Sequence, residues 1–191
     1  MVRPFAAETI SEKLQRYLID FQFFTVFTFQ LVTKEDGAMD VKLINPFINA
    51  TLNVLETMAF IKPEAGKPYL KKDVFAQGDV SGVIGFTGES NGTVSVTFTK
   101  LCILKIVSNM FGEEMKEINN EIADAVGELT NMISGQARKE LAEIGKVFHG
   151  AIPSVITGKN HKLIPMAKGH KIAIPFKTDS GSFTIEVALE G

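Results

Sequence analysis

One helix-and-hairpin pattern occurs twice in this 191-residue chain, and the duplication constrains the fold more than any other feature. In the first copy Phe47, Ile48, Leu52, Leu55 and Ala59 recur at helical spacing. Asn45 reads as the cap of that helix and Pro46 as its first residue, where a missing N–H does no harm. A hairpin follows. Val80, Ile84 and Phe86 alternate with small residues, Glu89-Ser-Asn-Gly92 turns, and Val94, Val96 and Phe98 return along one face. The second copy opens with a longer helix, roughly Glu121–Ile144, capped by Asn119 or Asn120. Its hairpin runs through Ile172, Ile174 and Phe176, turns at Asp179-Ser-Gly181, and returns through Phe183, Ile185, Val187 and Leu189. The hairpins align with one residue deleted in the second turn: Phe86-Thr-Gly-Glu-Ser-Asn-Gly-Thr-Val-Ser-Val against Phe176-Lys-Thr-Asp-Ser-Gly-Ser-Phe-Thr-Ile. The helices align more loosely, Ile44-Asn-Pro-Phe-Ile against Ile122-Ala-Asp-Ala-Val. Two units are too few for a repeat array. The expectation is one α/β domain of the α+β kind, with pseudo-two-fold symmetry and an antiparallel sheet carrying both long helices on one face.

Between the copies a third helix is expected at about Lys100–Phe111, with Thr99 as cap and Gly112 as stop. A strand is expected near Ser154–Thr157. Residues 1–38 have a different character. Six of the fifteen phenylalanines fall there: Phe5, Phe21, Phe23, Phe24, Phe27 and Phe29. The apolar stretch Leu18–Val32 is interrupted by Asp20, Gln22 and Gln30, too short to span a bilayer, and lacks the order of a signal peptide. Two readings stand: an extension that packs its phenylalanines on the domain, or a segment outside a native domain of residues 39–191 that begins at Met39.

Composition excludes several function classes. The net charge is −2 and no Lys/Arg cluster stands out, against a nucleic-acid binder. Cys102 is the one cysteine and lies among Leu101, Ile103 and Leu104, which reads as a buried, inert thiol. His149, His161 and His170 pair with no Cys, Asp or Glu at metal-ligand spacing, so no metal or other cofactor of its own is expected. The Asn49-Ala-Thr51 and Asn91-Gly-Thr93 sequons are chance matches without a secretory signal. Gly78, Gly82, Gly85, Gly88 and Gly92 sit in a strand and its turn, not at a helix start, so they form no phosphate loop and suit close approach of helices to the sheet. No Ser/His/Asp or Cys/His set supplies a nucleophile.

The second long helix carries the candidate site. Projected at about 100° per residue, Ile122, Ala125, Val126, Leu129, Met132, Ile133, Ala137, Leu141 and Ile144 form the core stripe. Asp124, Glu128, Asn131 and Gly135 fall almost opposite, as a continuous ridge. Glu128 and Asn131, three apart, are surface neighbours. Gly127 and Gly135 inside a helix each cost about 1 kcal/mol relative to Ala, which suggests that something comes close to the backbone. Spacing alone favours a merely solvated helix face.

The segment Asp124-Ala-Val-Gly-Glu128-Leu-Thr-Asn131-Met-Ile-Ser-Gly-Gln-Ala resembles the Asp-x-x-x-Glu-x-x-Asn signature helix of the CheC/CheX chemotaxis phosphatases, CheX members in particular. Met39-Asp-Val-Lys-Leu-Ile-Asn-Pro-Phe-Ile, Asp79-Val-Ser-Gly-Val-Ile-Gly, Leu104-Lys-Ile-Val-Ser-Asn-Met-Phe-Gly-Glu and Gly158-Lys-Asn-His161 are similar to that family too, in order over residues 39–191. The resemblance implies a cytoplasmic phosphatase acting on the aspartyl phosphate of a CheY-type receiver domain, which brings its own Mg²⁺. Asn131 would hold the attacking water and Glu128 would dock the receiver's lysine. Where Glu128 stands in the second helix, the first has Ala50, while Asn53 matches Asn131, so one site per chain is implied. The competing reading is a non-catalytic receiver-binding adaptor like the flagellar switch modules, which lack the acid–amide pair. A homodimer joined through its sheet is also expected. Phe183–Leu189 reads as an apolar edge strand with Glu186 its only charge, and CheX relatives are dimers.

Overall fold

The computed structural model describes residues 41–164 and 169–190, all within one unit spanning Met39–Gly191. The reading of residues 1–38 as a separate extension, and the Met39 start, lie outside the described residues. Three helices are described: α1 (Val41–Ala59), α2 (Lys100–Phe111) and α3 (Asn120–Glu143). The strands are β1 (Glu64–Ala65), β2 (Tyr69–Leu70), β3 (Val80–Gly88), β4 (Gly92–Phe98), β5 (Phe148–Gly150), β6 (Ser154–Thr157), β7 (Lys171–Thr178) and β8 (Gly181–Leu189). They form one antiparallel sheet in the order β1-β7-β8-β4-β3-β5, with β2 also on β7 and β6 also on β3. The two hairpins are thus neighbours, joined where β4 pairs β8 from Gly92↔Leu189 to Phe98↔Phe183.

Alternation places one face of every long strand in the core. Val80, Ile84 and Phe86 of β3, Val94, Val96 and Phe98 of β4, Ile172, Ile174 and Phe176 of β7, and Phe183, Ile185, Val187 and Leu189 of β8 form one cluster with all three helices. Phe176 stacks on Phe183 with ring centres 4.8 Å apart, and Phe98 lies 5.2 Å from Phe183. Phe47 of α1 stacks on Phe86 of β3, which ties the first helix to its own hairpin.

Several helix ends differ from expectation. The helix α1 is already formed at Val41 and runs through Pro46, so Asn45 is no cap. Proline removes one hydrogen bond, and burial of Ile44, Phe47 and Ile48 on both sides of it outweighs that loss. Thr99 does precede α2, but its side chain caps nothing there. Its hydroxyl donates to Ser182 O at 2.8 Å, and Asp79 Oδ2 accepts from Lys100 N at 2.7 Å instead. A carboxylate at that end also meets the positive pole of the helix. Gly112 ends α2 with φ of 75°, a left-handed position that suits glycine. Cys102 is buried in the core, as expected.

The edge-strand reading is overturned. β8 bonds to β7 on one side and β4 on the other, so it lies inside the sheet and has no free edge to offer a second copy. Glu186, the one charge of that strand, is not at an edge either. It is 3% exposed on the face away from the helices, between the ammonium groups of Lys71 and Lys171. The outer strands of two to four residues (β1, β2, β5, β6) blunt both margins of the sheet.

Candidate functional site

The helix that bears the ridge is fixed before its outer face is considered. Asn119 caps it, its Oδ1 accepting from Ile122 N at 3.1 Å. Ile122, Ala125, Val126, Leu129, Ile133, Ala137 and Leu141 are buried. Met132 is half-buried against the core, whereas Ile144 is 55% exposed because it lies past the last helical turn. Gly127, Thr130 and Ser134 are buried as well, so the packed surface of α3 is wider than the apolar stripe. This second strip explains Gly82 of the first hairpin, whereas Gly78 faces Phe98 and Thr97, Gly88 faces Val147, and Gly92 faces Phe86 and Leu189. A Cβ on Gly82 would lie 2.0 Å from Thr130 Oγ1, so glycine there lets α3 rest directly on β3. Gly127 belongs to this strip and not to the outer face, its nearest neighbour being Val155 of β6.

On the opposite side Asp124, Glu128 and Asn131 are all exposed, and Gly135 is half-buried. Glu128 and Asn131 form no hydrogen bond or ion pair among the described residues. One helical turn separates them, which sets their Cβ atoms about 5–6 Å apart. The pair is therefore an acid and a carboxamide side by side, unengaged, on a helix whose other two sides are locked to the sheet and to α1. A Cβ on Gly135 would meet only Arg138 Nη2, at 3.9 Å. No packing within the described residues requires glycine at that ridge position.

The first copy is built differently. Ala50 is fully buried in the core, and Asn53 Nδ2 donates to Gln136 Oε1 of α3 at 2.9 Å. Asn49 likewise donates to Glu140, at 3.2 Å. The face of α1 that corresponds to the ridge is thus spent on packing and on holding α3. No group of three or more His, Cys, Asp or Glu side chains suited to a metal ion occurs among the described residues, and no described helix is long and apolar enough to cross a membrane.

Two of the segments singled out in the sequence turn out to be braces. Asp79 caps α2, and its carbonyl accepts from Gly158 N at 2.8 Å. His161 bonds Gly158 O through Nδ1 and Ser81 Oγ through Nε2, each at 2.7 Å, with Ser81 Oγ 2.6 Å from Thr97 Oγ1. These contacts staple the loop after β6 to β3 and β4. Ser81 is fully buried, so the Ser–His contact is structural. Sequence reasoning missed Arg138. It continues the ridge two turns beyond Asn131, at i+7, and extending the projection would have found it. Its Nε is sealed from solvent without a hydrogen-bond partner, which ordinarily costs about 1–3 kcal/mol.

Comparison with known proteins agrees with this architecture. The family model of the chemotaxis phosphatase CheX matches residues 80–177, which include the whole of α3. CheX from Desulfovibrio desulfuricans superposes with a TM-score of 0.73 at 53% identity, covering 78% of this chain and 99% of that one. The CheY-P phosphatase CheX of Thermotoga maritima is 29% identical over 126 residues, 65% of this chain and 81% of that protein. A CheX–CheY–BeF3–Mg²⁺ complex from Borrelia burgdorferi matches at 28% identity with a TM-score of 0.66, over 78% of this chain and 97% of its counterpart. With a family match across half of its length and a solved CheX whose whole length, to 99%, is matched by 78% of this chain, the chain belongs to the chemotaxis phosphatase CheX family.

Proposed function

We propose that this chain accelerates hydrolysis of the aspartyl phosphate on a CheY-type receiver domain in the cytoplasm, using Glu128 and Asn131. The observation that carries the reading is the unengaged acid–amide pair on the outer ridge of α3. Its support is the family membership, a relative named for CheY-P phosphatase activity, and the solved complex of a CheX with CheY.

The chemistry asks little of the protein. Water attacks the phosphorus, the P–O bond to the aspartyl carboxyl breaks, and the products are a free carboxylate and inorganic phosphate. The Mg²⁺ in this reading belongs to the receiver, where it would balance charge on the phosphoryl oxygens. Asn131 suits the task of orienting water, since a carboxamide both donates and accepts hydrogen bonds and carries no charge to repel phosphate. Glu128, one turn away, pairs with the receiver's lysine and fixes the approach. Positioning of this kind is worth about 10²–10³-fold in rate. Rigidity matters more than acidity here, and α3 is anchored on two sides.

The test is phosphate release from a panel of purified CheY receiver domains phosphorylated by a small-molecule donor. Acceleration by the wild-type chain, lost in Asn131→Ala while receiver binding persists, supports the reading. Wild-type rates in Asn131→Ala at saturating chain would sink it.

A further inference from the structure

Arg138 is a guanidinium with nothing to hold it. Among the described residues it forms no ion pair and no hydrogen bond, and its Nε is buried without a partner while its terminal nitrogens are not sealed. Two nearby acids are already committed. Glu140, on the same helix, accepts from Asn49, and Glu89, at the turn before β4, pairs with Lys146 at 3.0 Å. The side chain also has a place made for it. A Cβ on Gly150 of β5 would lie 2.8 Å from Arg138 Cζ, so the guanidinium lies flat over a backbone that only glycine leaves bare. Gly150 has no left-handed backbone to explain it. On the ridge side Gly135 leaves an open strip between Arg138 and Asn131.

The exposed ridge therefore changes sign along its length. Asp124 and Glu128 are acidic, Asn131 and Gly135 neutral, and Arg138 cationic. At a rise of about 1.5 Å per residue, the Cα of Arg138 stands roughly 10 Å along the axis from that of Asn131 and 15 Å from that of Glu128, while its guanidinium reaches back beside Gly135, where a Cβ would lie 3.9 Å from Nη2. That sets the guanidinium about one helical turn beyond Asn131, well placed for the rim of a docked domain.

We infer that Arg138 is a positioning residue that pairs with a carboxylate on the receiver domain, so that opposite charges at the two ends of the ridge fix the direction in which the receiver docks. The inference rests on the phosphatase reading above. A guanidinium pre-laid on Gly150 loses little freedom on pairing, and its planar fork suits a carboxylate. Docking the receiver the wrong way round would set Arg138 against its lysine and Glu128 against its carboxylate, an arrangement disfavoured at both ends.

The experiment uses the full chain and a CheY receiver that the wild type dephosphorylates, with KM, kcat and melting temperature measured together. Arg138→Met keeps the aliphatic stem and removes the charge. It should raise KM about tenfold with kcat within about twofold, as expected of a charge that acts in docking. Arg138→Lys should recover part of the loss and Arg138→Glu should deepen it. Gly150→Ala keeps the charge but displaces the guanidinium, so it should raise KM in the same direction without a large change in melting. The KM penalty of Arg138→Met should shrink at high salt. An unchanged KM in Arg138→Met, or a fall in melting temperature that accounts for the whole effect, overturns the inference and leaves the phosphatase reading intact. Absence of any acceleration by the wild type overturns both.

Discussion

Gly82 lies directly beneath Thr130, so close that a β-carbon on the glycine would fall 2.0 Å from the threonine hydroxyl and 2.8 Å from its Cβ. This contact sets the height of α3 above β3, and with it the position of the ridge. Gly82→Ala must push the helix outward, because neither threonine atom is the end of a flexible chain. We expect a loss of about 1–3 kcal/mol in stability, the usual range for overpacking, and a lower kcat. Thr130→Ala in the same chain should recover part of both. Thermal melts and phosphate release on the single and double variants check it.

Asn131→Asp is the sharper companion to the alanine variant. It preserves shape and replaces the carboxamide with a charge that repels the phosphoryl group and cannot donate. The expected outcome is a fall in kcat of about 10²-fold, as large as in Asn131→Ala. Glu128→Gln keeps size but not charge and should act mainly on KM. Steady-state kinetics separate the two, and equal effects of both variants on KM alone would remove the division of roles.

In the first copy Asn53→Ala should leave the rate within about twofold of wild type, since only an exposed bond to Gln136 is lost. Ala50→Glu should not create a second site. Position 50 is fully buried, so an unpaired carboxylate there destabilises the fold by several kcal/mol. A stable Ala50→Glu chain with doubled activity would show that the first helix can still be opened.

The helices, the hairpins and the exposed position of Glu128 and Asn131 were legible because each is local. Period 3.6 marks α3, period 2 marks the four long strands, and Asn119, Gly112 and the turn glycines punctuate them. What stayed hidden depended on which strands are neighbours. Pairing of β8 with β4 joins segments about ninety residues apart, and nothing in Phe183–Leu189 states whether a strand lies at the edge or the centre. Glu186 was misread for that reason. Its partner Lys71 is 115 residues away in sequence, and the face it occupies is covered rather than wet. Asp79 as the cap of α2 and Arg138 over Gly150 are equally non-local.

Asp73 offers a pH test. The Phe75 backbone N–H, which donates to its carboxylate at 2.9 Å, and secondarily Lys71 and Lys171 hold its pKa below the usual value of 3.8. A carboxyl whose folded pKa is depressed contributes stability above its unfolded value and loses it as pH falls through the folded one. Asp73→Asn should therefore narrow its stability deficit relative to wild type as pH drops below 3.8. Denaturant melts at neutral pH and in that acid range check the sign, and a deficit that grows on acidification would contradict it.

Glu186 is the most consequential buried charge among the described residues. Its side chain is 2% exposed, as is that of Lys71, and Lys171 is 8% exposed. Lys71 Nζ donates to Glu186 Oε1 and to Phe75 O at 2.5 Å, while Lys171 Nζ donates to Asp73 O at 2.6 Å. Lys171 Nζ also stands 3.0 Å from Glu186 Oε2, near enough to attract it but outside hydrogen-bonding direction. Two ammonium groups thus share one carboxylate, and removing it leaves them only the half-exposed Asp73, whose Oδ1 stands 3.7 Å from Lys71 Nζ. Glu186→Ala should cost about 3–5 kcal/mol, the range for breaking a buried pair, or roughly 10 °C in melting temperature for a chain of this size. Replacing Lys71, Lys171 and Glu186 together by Met, Met and Leu should recover much of that loss, since an apolar set of similar volume leaves no stranded charge. The triad lies on the sheet face away from α3, so kcat at 25 °C should stay within about twofold in every folded variant, because packing around Gly82 and Thr130 is untouched. A Glu186→Ala chain that melts within about 2 °C of wild type would show that water reaches the two lysines and that the triad contributes little.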